Sequence, residues 1–155
     1  MKKGFTLIEM LIVIAIIAIL SSVFLVGVRN IRQGAYDSRR LSDLRNMQAY
    51  LETYYNASNR SYPAAGSNWT NLVSILEGGN FGITKVPQDP LVSSGHDNYV
   101  YCVASDSQGY ILGAHFDVAN NSSLSESYRG DTSGYTCTSA NINCGVGSPW
   151  YCVKF

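Results

Sequence analysis

Residues 1–10 read Met1-Lys2-Lys3-Gly4-Phe5-Thr6-Leu7-Ile8-Glu9-Met10 and run directly into LIVIAIIAIL at residues 11–20. From Phe5 to Val28 only Thr6, Glu9, Ser21, Ser22 and Gly27 interrupt the apolar run. About 20 such residues suffice to cross a bilayer as a helix, so residues 5–28 are expected to form a retained membrane helix. They make a poor secretory signal, because the basic region is only Lys2-Lys3 and no small-residue cleavage site follows the apolar core. Glu9 is the anomaly. A bare carboxylate in hydrocarbon costs about 3 kcal/mol or more, so Glu9 must either avoid lipid or find a partner.

The rest of the chain is large enough for one compact domain over residues 29–155. Lys and Arg total 11, as do Asp and Glu, which argues against a nucleic-acid face or a polybasic membrane patch. Only 14% of residues are charged, so the polar surface must come from Ser, Thr, Asn, Gly and Tyr. Eleven tyrosines against five phenylalanines suit a surface with many amphipathic rings.

The cysteines, Cys102, Cys137, Cys144 and Cys152, lie in the C-terminal third and match no close-paired zinc spacing. Behind a membrane tether, in a Ser/Asn-rich domain, an even count reads as two disulfides in an oxidising compartment; the alternative is four buried thiols in a cytosolic domain. Spacing does not choose among the three possible pairings. The reading leans to Cys102–Cys137 and Cys144–Cys152. Topology signals conflict: Arg29, Arg32, Arg39 and Arg40 beyond the apolar run favour a cytoplasmic domain, whereas the cysteines favour the opposite side. The oxidising side is preferred.

Lys2-Lys3-Gly4 followed by Phe5-Thr6-Leu7-Ile8-Glu9 resembles the leader of type IV pilins and type II secretion pseudopilins. In that family a membrane peptidase cuts after the glycine on the cytoplasmic face and methylates the new amino terminus. The resemblance implies a cut between Gly4 and Phe5, with Phe5 as the N-methylated first residue of the mature chain. It also implies a partner for Glu9, namely the Phe5 amine of a neighbouring subunit, and a paired buried charge is far less costly than a lone one. A competing role needs no neighbour: Thr6-x-x-Glu9 spells a capping box. The two can coexist at different stages. The close match runs to the neighbourhood of Asn30 and is architectural beyond it. One departure is that many members carry a proline where this chain reads Ser21-Ser22-Val23-Phe24-Leu25-Val26-Gly27; here none precedes Pro63.

The helix is expected to continue to about Tyr55, because Leu41, Leu44, Met47, Leu51 and Tyr54 form one apolar stripe, with Arg39, Arg40, Asp43, Arg45 and Glu52 mostly off it. At 1.5 Å per residue such a rod is about 75 Å long. Asn59-Arg60-Ser61-Tyr62-Pro63 resembles the segment that follows this helix in type II secretion major pseudopilins and short pilins. Trp69 to Glu77 reads as a short helix stopped by Gly78-Gly79, and Val86 to Pro90 as a rigid extended loop. Strands are expected over Asn98–Ala104 and Tyr110–Phe116, joined by a hairpin loop, with a third over Trp150–Phe155. Asn120 to Pro149 lacks periodicity and is expected to be ordered by disulfides. The fold class is α+β, a pilin fold: one long helix packed on a small antiparallel sheet with a disulfide-stapled C-terminal region.

Signs of catalysis are absent. Nucleophile-elbow, phosphate-loop and His-Glu-x-x-His motifs do not occur, His115 reads as packed or at a sheet edge, and His96 beside Asp97 reads as solvated. No cofactor is expected. Calcium, bound by related pseudopilins, finds only sparse candidates in Asp117, Glu126 and Asp131. Glycosylation triplets at Asn56, Asn59, Asn68, Asn120 and Asn121 are ascribed to composition.

These observations lead to an expected non-enzymatic filament subunit, foremost a major pilin: leader 1–4, assembly helix 5–28, globular domain 29–155. Expected partners are copies of itself, a prepilin peptidase, and an inner-membrane assembly platform with its ATPase, with no nucleic acid. The precursor is expected in the inner membrane and the product in an extracellular filament serving adhesion, motility or DNA uptake. Alternatives are a periplasmic secretion pseudopilin and a minor tip pilin that binds DNA or a surface ligand; removal of Lys2 and Lys3 leaves a slightly acidic chain, which disfavours the DNA-binding tip.

Overall fold

The computed structural model describes residue 4, residues 6–66 and residues 68–155, with the side chains of residues 23–27 outside that description. Helix α1 spans Leu7–Ala57, 51 residues without a break. Thr6 caps its start, and the first proline of the chain stands beyond its end. Asn59 and Arg60, both at positive φ, turn the chain away from the helical path.

The helix has two habits. Along its first half Leu7, Ile8, Ile12, Ile14, Ile19 and Leu20 all stand more than half exposed. Along its second half Leu44, Met47 and Leu51 are fully buried, each contributing about 1.5–3 kcal/mol by leaving water. Among the described residues no helix is long and apolar enough to cross a membrane. The span expected over residues 5–28 is therefore not established by the structure; Phe5 and the side chains of residues 23–27 lie outside the described residues.

Helix α2, Trp69–Gly78, is capped by the Asn68 side chain, which accepts from Thr70 N at 2.8 Å. It buries Trp69, Leu72 and Leu76. A 3-10 turn follows at Val92–Ser94. Four strands then form an antiparallel sheet in the order β3-β1-β2-β4: β1 Val100–Ala104, β2 Tyr110–His115, β3 Tyr135–Cys137 and β4 Trp150–Lys154. A second 3-10 turn, Ser122–Glu126, lies between β2 and β3.

The period-2 alternation of the strands builds two cores. Tyr101 and Val103 of β1, Tyr110, Leu112 and Ala114 of β2, and Tyr151 of β4 face α1 and α2. Val100, Cys102, Ile111, Trp150 and Cys152 face away from the helices, and Tyr128, Tyr135 and Ile142 pack over them. The sheet is thus covered on both sides, by helices on one face and by the polar C-terminal region on the other.

That region differs from the expected aperiodic loop. It contains β3, whose Cys137 is the register partner of Cys102 on β1. The disulfides join Cys102 to Cys137 and Cys144 to Cys152. The first ties an edge strand of three residues to its neighbour; the second ties the loop before β4 to β4 itself. Gly113 fits beneath this layer because a Cβ there would sit 2.7 Å from Ile142 Cδ1.

Candidate functional site

Two places in the fold gather polar chemistry: the start of α1 and a buried charge cluster against its middle. At the start, Gly4 is exposed and outside the helix. Phe5, the expected methylated terminus, lies outside the described residues. Thr6 and Glu9 bond reciprocally: Thr6 N donates to Glu9 Oε2 at 2.8 Å, Thr6 Oγ1 donates to the same oxygen at 2.7 Å, and Glu9 N donates to Thr6 Oγ1 at 3.3 Å. This is the capping box, which satisfies amide donors that a helix start leaves without partners. Within a single chain, Glu9 is therefore a cap.

The second place centres on Arg40. Arg40 is expected mostly off the apolar stripe; the structure corrects this, since its side chain is 0% exposed. Asp37, Arg40, Leu44, Met47 and Leu51 follow one another at spacings of three and four along α1, so the buried face continues two polar residues further than the apolar letters do. The guanidinium is fully engaged. Nε donates to Asp89 Oδ2 at 2.6 Å and Nη2 to Asp89 Oδ1 at 3.4 Å, a two-pronged bond. Nη1 donates to Asp37 Oδ1 at 2.8 Å and to Asp117 Oδ2 at 2.9 Å. The planar, multi-donor fork of arginine suits this geometry, and lysine could not replace it.

Each aspartate in turn fixes backbone. Asp37 accepts from the amides of Asp117 and Val118, at 2.9 and 3.0 Å, and so holds the chain as it leaves β2. Asp89 accepts from Leu91 N at 2.8 Å and shapes the turn before Val92. Asp117 reaches His96 Nε2 through its second oxygen at 3.1 Å. One buried cation thereby ties helix α1, the 89–98 connection and the end of β2 together. Burial by itself would lower the Arg40 pKa, but the bonds to Asp89 and Asp117 outweigh it and the net shift is upward. Burial would raise the Asp117 pKa; its bond to Arg40 prevails and holds the carboxyl below the usual range. Beside the cluster, burial and a 2.7 Å bond to Asp43 push the Tyr99 hydroxyl well above the ordinary tyrosine range.

His96 is also repositioned. It was expected to be solvated beside Asp97, but its side chain is only 17% exposed and its ring packs edge-on against His115, 5.3 Å between centroids. His115 in turn meets Trp150 edge-on at 5.6 Å, in line with the packed strand position expected for it. The calcium candidates do not gather. Among the described residues the one group of metal-ligating side chains is His96, His115 and Asp117; Glu126 and Asp131 are exposed elsewhere. No single-sequence signal could bring Arg40, Asp89, His96 and Asp117 together, because the contacts close over separations as large as 77 residues. Only Asp37 and Arg40 left a trace, in the spacing of the stripe.

Comparison with known proteins bears on the first place. Residues 1–25 match the prokaryotic N-terminal methylation motif. No curated protein and no solved structure matches the chain. The motif marks structural subunits rather than an enzyme class, and it implies processing by a prepilin peptidase and handling by pilus assembly machinery in general. Residues 1–25 carry the class III signal peptide of type IV pilins and pseudopilins, set on a long helix packed against an antiparallel sheet.

Proposed function

We propose that this chain is the major structural subunit of a type IV pilus-like surface filament, polymerised through residues 5–28 after cleavage between Gly4 and Phe5 and N-methylation of Phe5. The observation that carries the reading is the continuity of the methylation motif with one 51-residue helix whose first half is apolar and exposed. An exposed apolar surface of that extent calls for lipid, for other copies of itself, or for each in turn. In the membrane the helix is stored among lipid; in the filament it is packed among its neighbours. Moving between those two apolar settings brings little hydrophobic gain, so helix packing and the charge of Glu9 set the specificity of assembly.

Low charge content, a domain of full pilin size and two disulfides over the outer sheet face favour an external fibre. The precursor then resides in the inner membrane with its domain on the oxidising side. Residues 1–4 are the leader and residues 29–155 the domain displayed on the filament. The role is structural, without catalysis.

One observation favours the pseudopilin reading. Tyr62 and Pro63, whose pattern resembles the secretion family, lock the end of α1 to the sheet: Tyr62 OH donates to Glu52 at 2.7 Å, and Tyr101 OH donates to the Pro63 carbonyl at 2.9 Å. Shearing and purifying surface filaments, then sequencing their subunit by mass spectrometry, separates the readings. A subunit beginning with N-methylated Phe5 is expected. An intact Met1 removes both readings, and loss of secreted proteins without loss of filaments on gene deletion selects the pseudopilin.

A further inference from the structure

The bonding of His96 leaves a charge mismatch. Its Nδ1 lies 3.1 Å from the Asp97 carbonyl and 3.5 Å from Asp89 Oδ1, both acceptors, which suits a proton on Nδ1. Its Nε2 lies 3.4 Å from Arg40 Nη2, a donor, which suits a lone pair on Nε2. Yet the same Nε2 faces Asp117 Oδ1 at 3.1 Å. In this tautomer two lone pairs point at each other, and a cation between them removes the conflict. The surrounding charge argues the same way. Asp37, Asp89 and Asp117 carry three negative charges against the single positive charge of Arg40.

A third donor stands beside the pair. One ligand atom each from His96, His115 and Asp117 lie within 4.8 Å of one another. Tetrahedral zinc with bonds of about 2.0–2.1 Å needs ligand atoms about 3.3–3.5 Å apart, so these partly exposed side chains would have to draw inward to close on an ion. A bond from Nδ1–H to a backbone carbonyl is the outer contact that orients a ligating histidine and makes its Nε2 a better donor.

We propose that His96, His115 and Asp117 form a binding site for one divalent transition-metal ion of the zinc class. Two imidazole nitrogens and one carboxylate leave a fourth position for water, and the nitrogen-rich set excludes calcium in favour of zinc-like ions. The ion brings the local charge to neutrality. It clips the 89–98 connection to the end of β2, next to the point where Arg40 joins both to α1. This site is separate from the assembly helix and does not depend on the filament reading.

The test uses the full chain in detergent micelles, without a polyhistidine tag, stripped with EDTA and titrated with zinc chloride. Bound metal is counted by mass spectrometry and affinity measured against a chromogenic chelator. One zinc ion per chain is expected, together with a rise in thermal midpoint. His115→Phe keeps the ring between Trp150 and His96 while removing a ligand. It should weaken binding by about 100-fold or more, since even loss of an outer-shell partner costs 10–100-fold, and its midpoint should no longer respond to zinc. His96→Gln should behave in the same way. If the wild-type chain binds no stoichiometric zinc, the proposal is overturned. Equal zinc affinity in His115→Phe and wild type overturns it as well.

Discussion

Arg40 Nε and Asp89 Oδ2 meet at 2.6 Å across 49 residues of sequence, and neither side chain has more than 1% of its surface exposed. Buried pairs of this kind are weak evidence of net stability but costly to break from one side. Arg40→Met leaves Asp37, Asp89 and Asp117 without their shared cation. A loss of about 3–5 kcal/mol is expected in urea denaturation of the full chain in detergent. If this variant does not fold, the milder Asp117→Asn, which removes one partly exposed contact, should lose less. A change of under about 1 kcal/mol for Arg40→Met would mean that the cluster does not hold the helix to the sheet.

The disulfides should differ in worth according to the loops they close. Cys102–Cys137 spans 35 residues and Cys144–Cys152 spans 8. On a chain-entropy basis the first stabilises by about 4 kcal/mol and the second by about 2.5 kcal/mol. Paired serine substitutions, compared by urea midpoint, should reproduce that order. The reverse order would show that the Cys144–Cys152 bond anchors the layer over Trp150 by more than loop closure.

What could be read from the letters, and what could not, follows from the range of the interactions. The long helix, the two central strands and β4 announce themselves through local periodicity, and the capping box through four adjacent residues. β3 did not, because three residues in a Ser/Gly/Thr-rich stretch carry no alternation; its pairing is imposed by β1 and the Cys102–Cys137 bond. The charge cluster was hidden for a related reason. A buried arginine looks like a surface arginine until its partners, 49 and 77 positions away, are folded against it.

Gly113 tests how tightly the polar C-terminal layer packs on the sheet. A methyl group there would approach Ile142 Cδ1 to 2.7 Å and Trp150 Cε3 to 3.3 Å. Gly113→Ala should destabilise by about 1–3 kcal/mol through overpacking. Adding Ile142→Ala should recover part of that loss, a coupling that a double-mutant cycle in denaturant measures. Strict additivity would show that the loop around Ile142 simply moves aside.

Glu9 presents two functions that one substitution can separate. The capping box accepts Gln as well as Glu at the fourth position, so Glu9→Gln keeps a side-chain acceptor for the Thr6 amide while removing the charge. Thr6→Val does the opposite: it removes the hydroxyl that accepts from Glu9 N and leaves the carboxylate charged. If Glu9 serves assembly through its charge, Glu9→Gln chains should be cut after Gly4 yet incorporate poorly into filaments. Thr6→Val chains should assemble but show faster amide exchange in the first turn of α1, at a local cost of about 1 kcal/mol. Normal incorporation of Glu9→Gln, measured by co-expression with wild-type subunit and mass spectrometry of sheared filaments, would leave the cap as the role of Glu9. Poor incorporation would mean that the same carboxylate caps its own helix before assembly and pairs with another chain afterwards. The cut that frees the Phe5 amine would then be the event that provides the second partner.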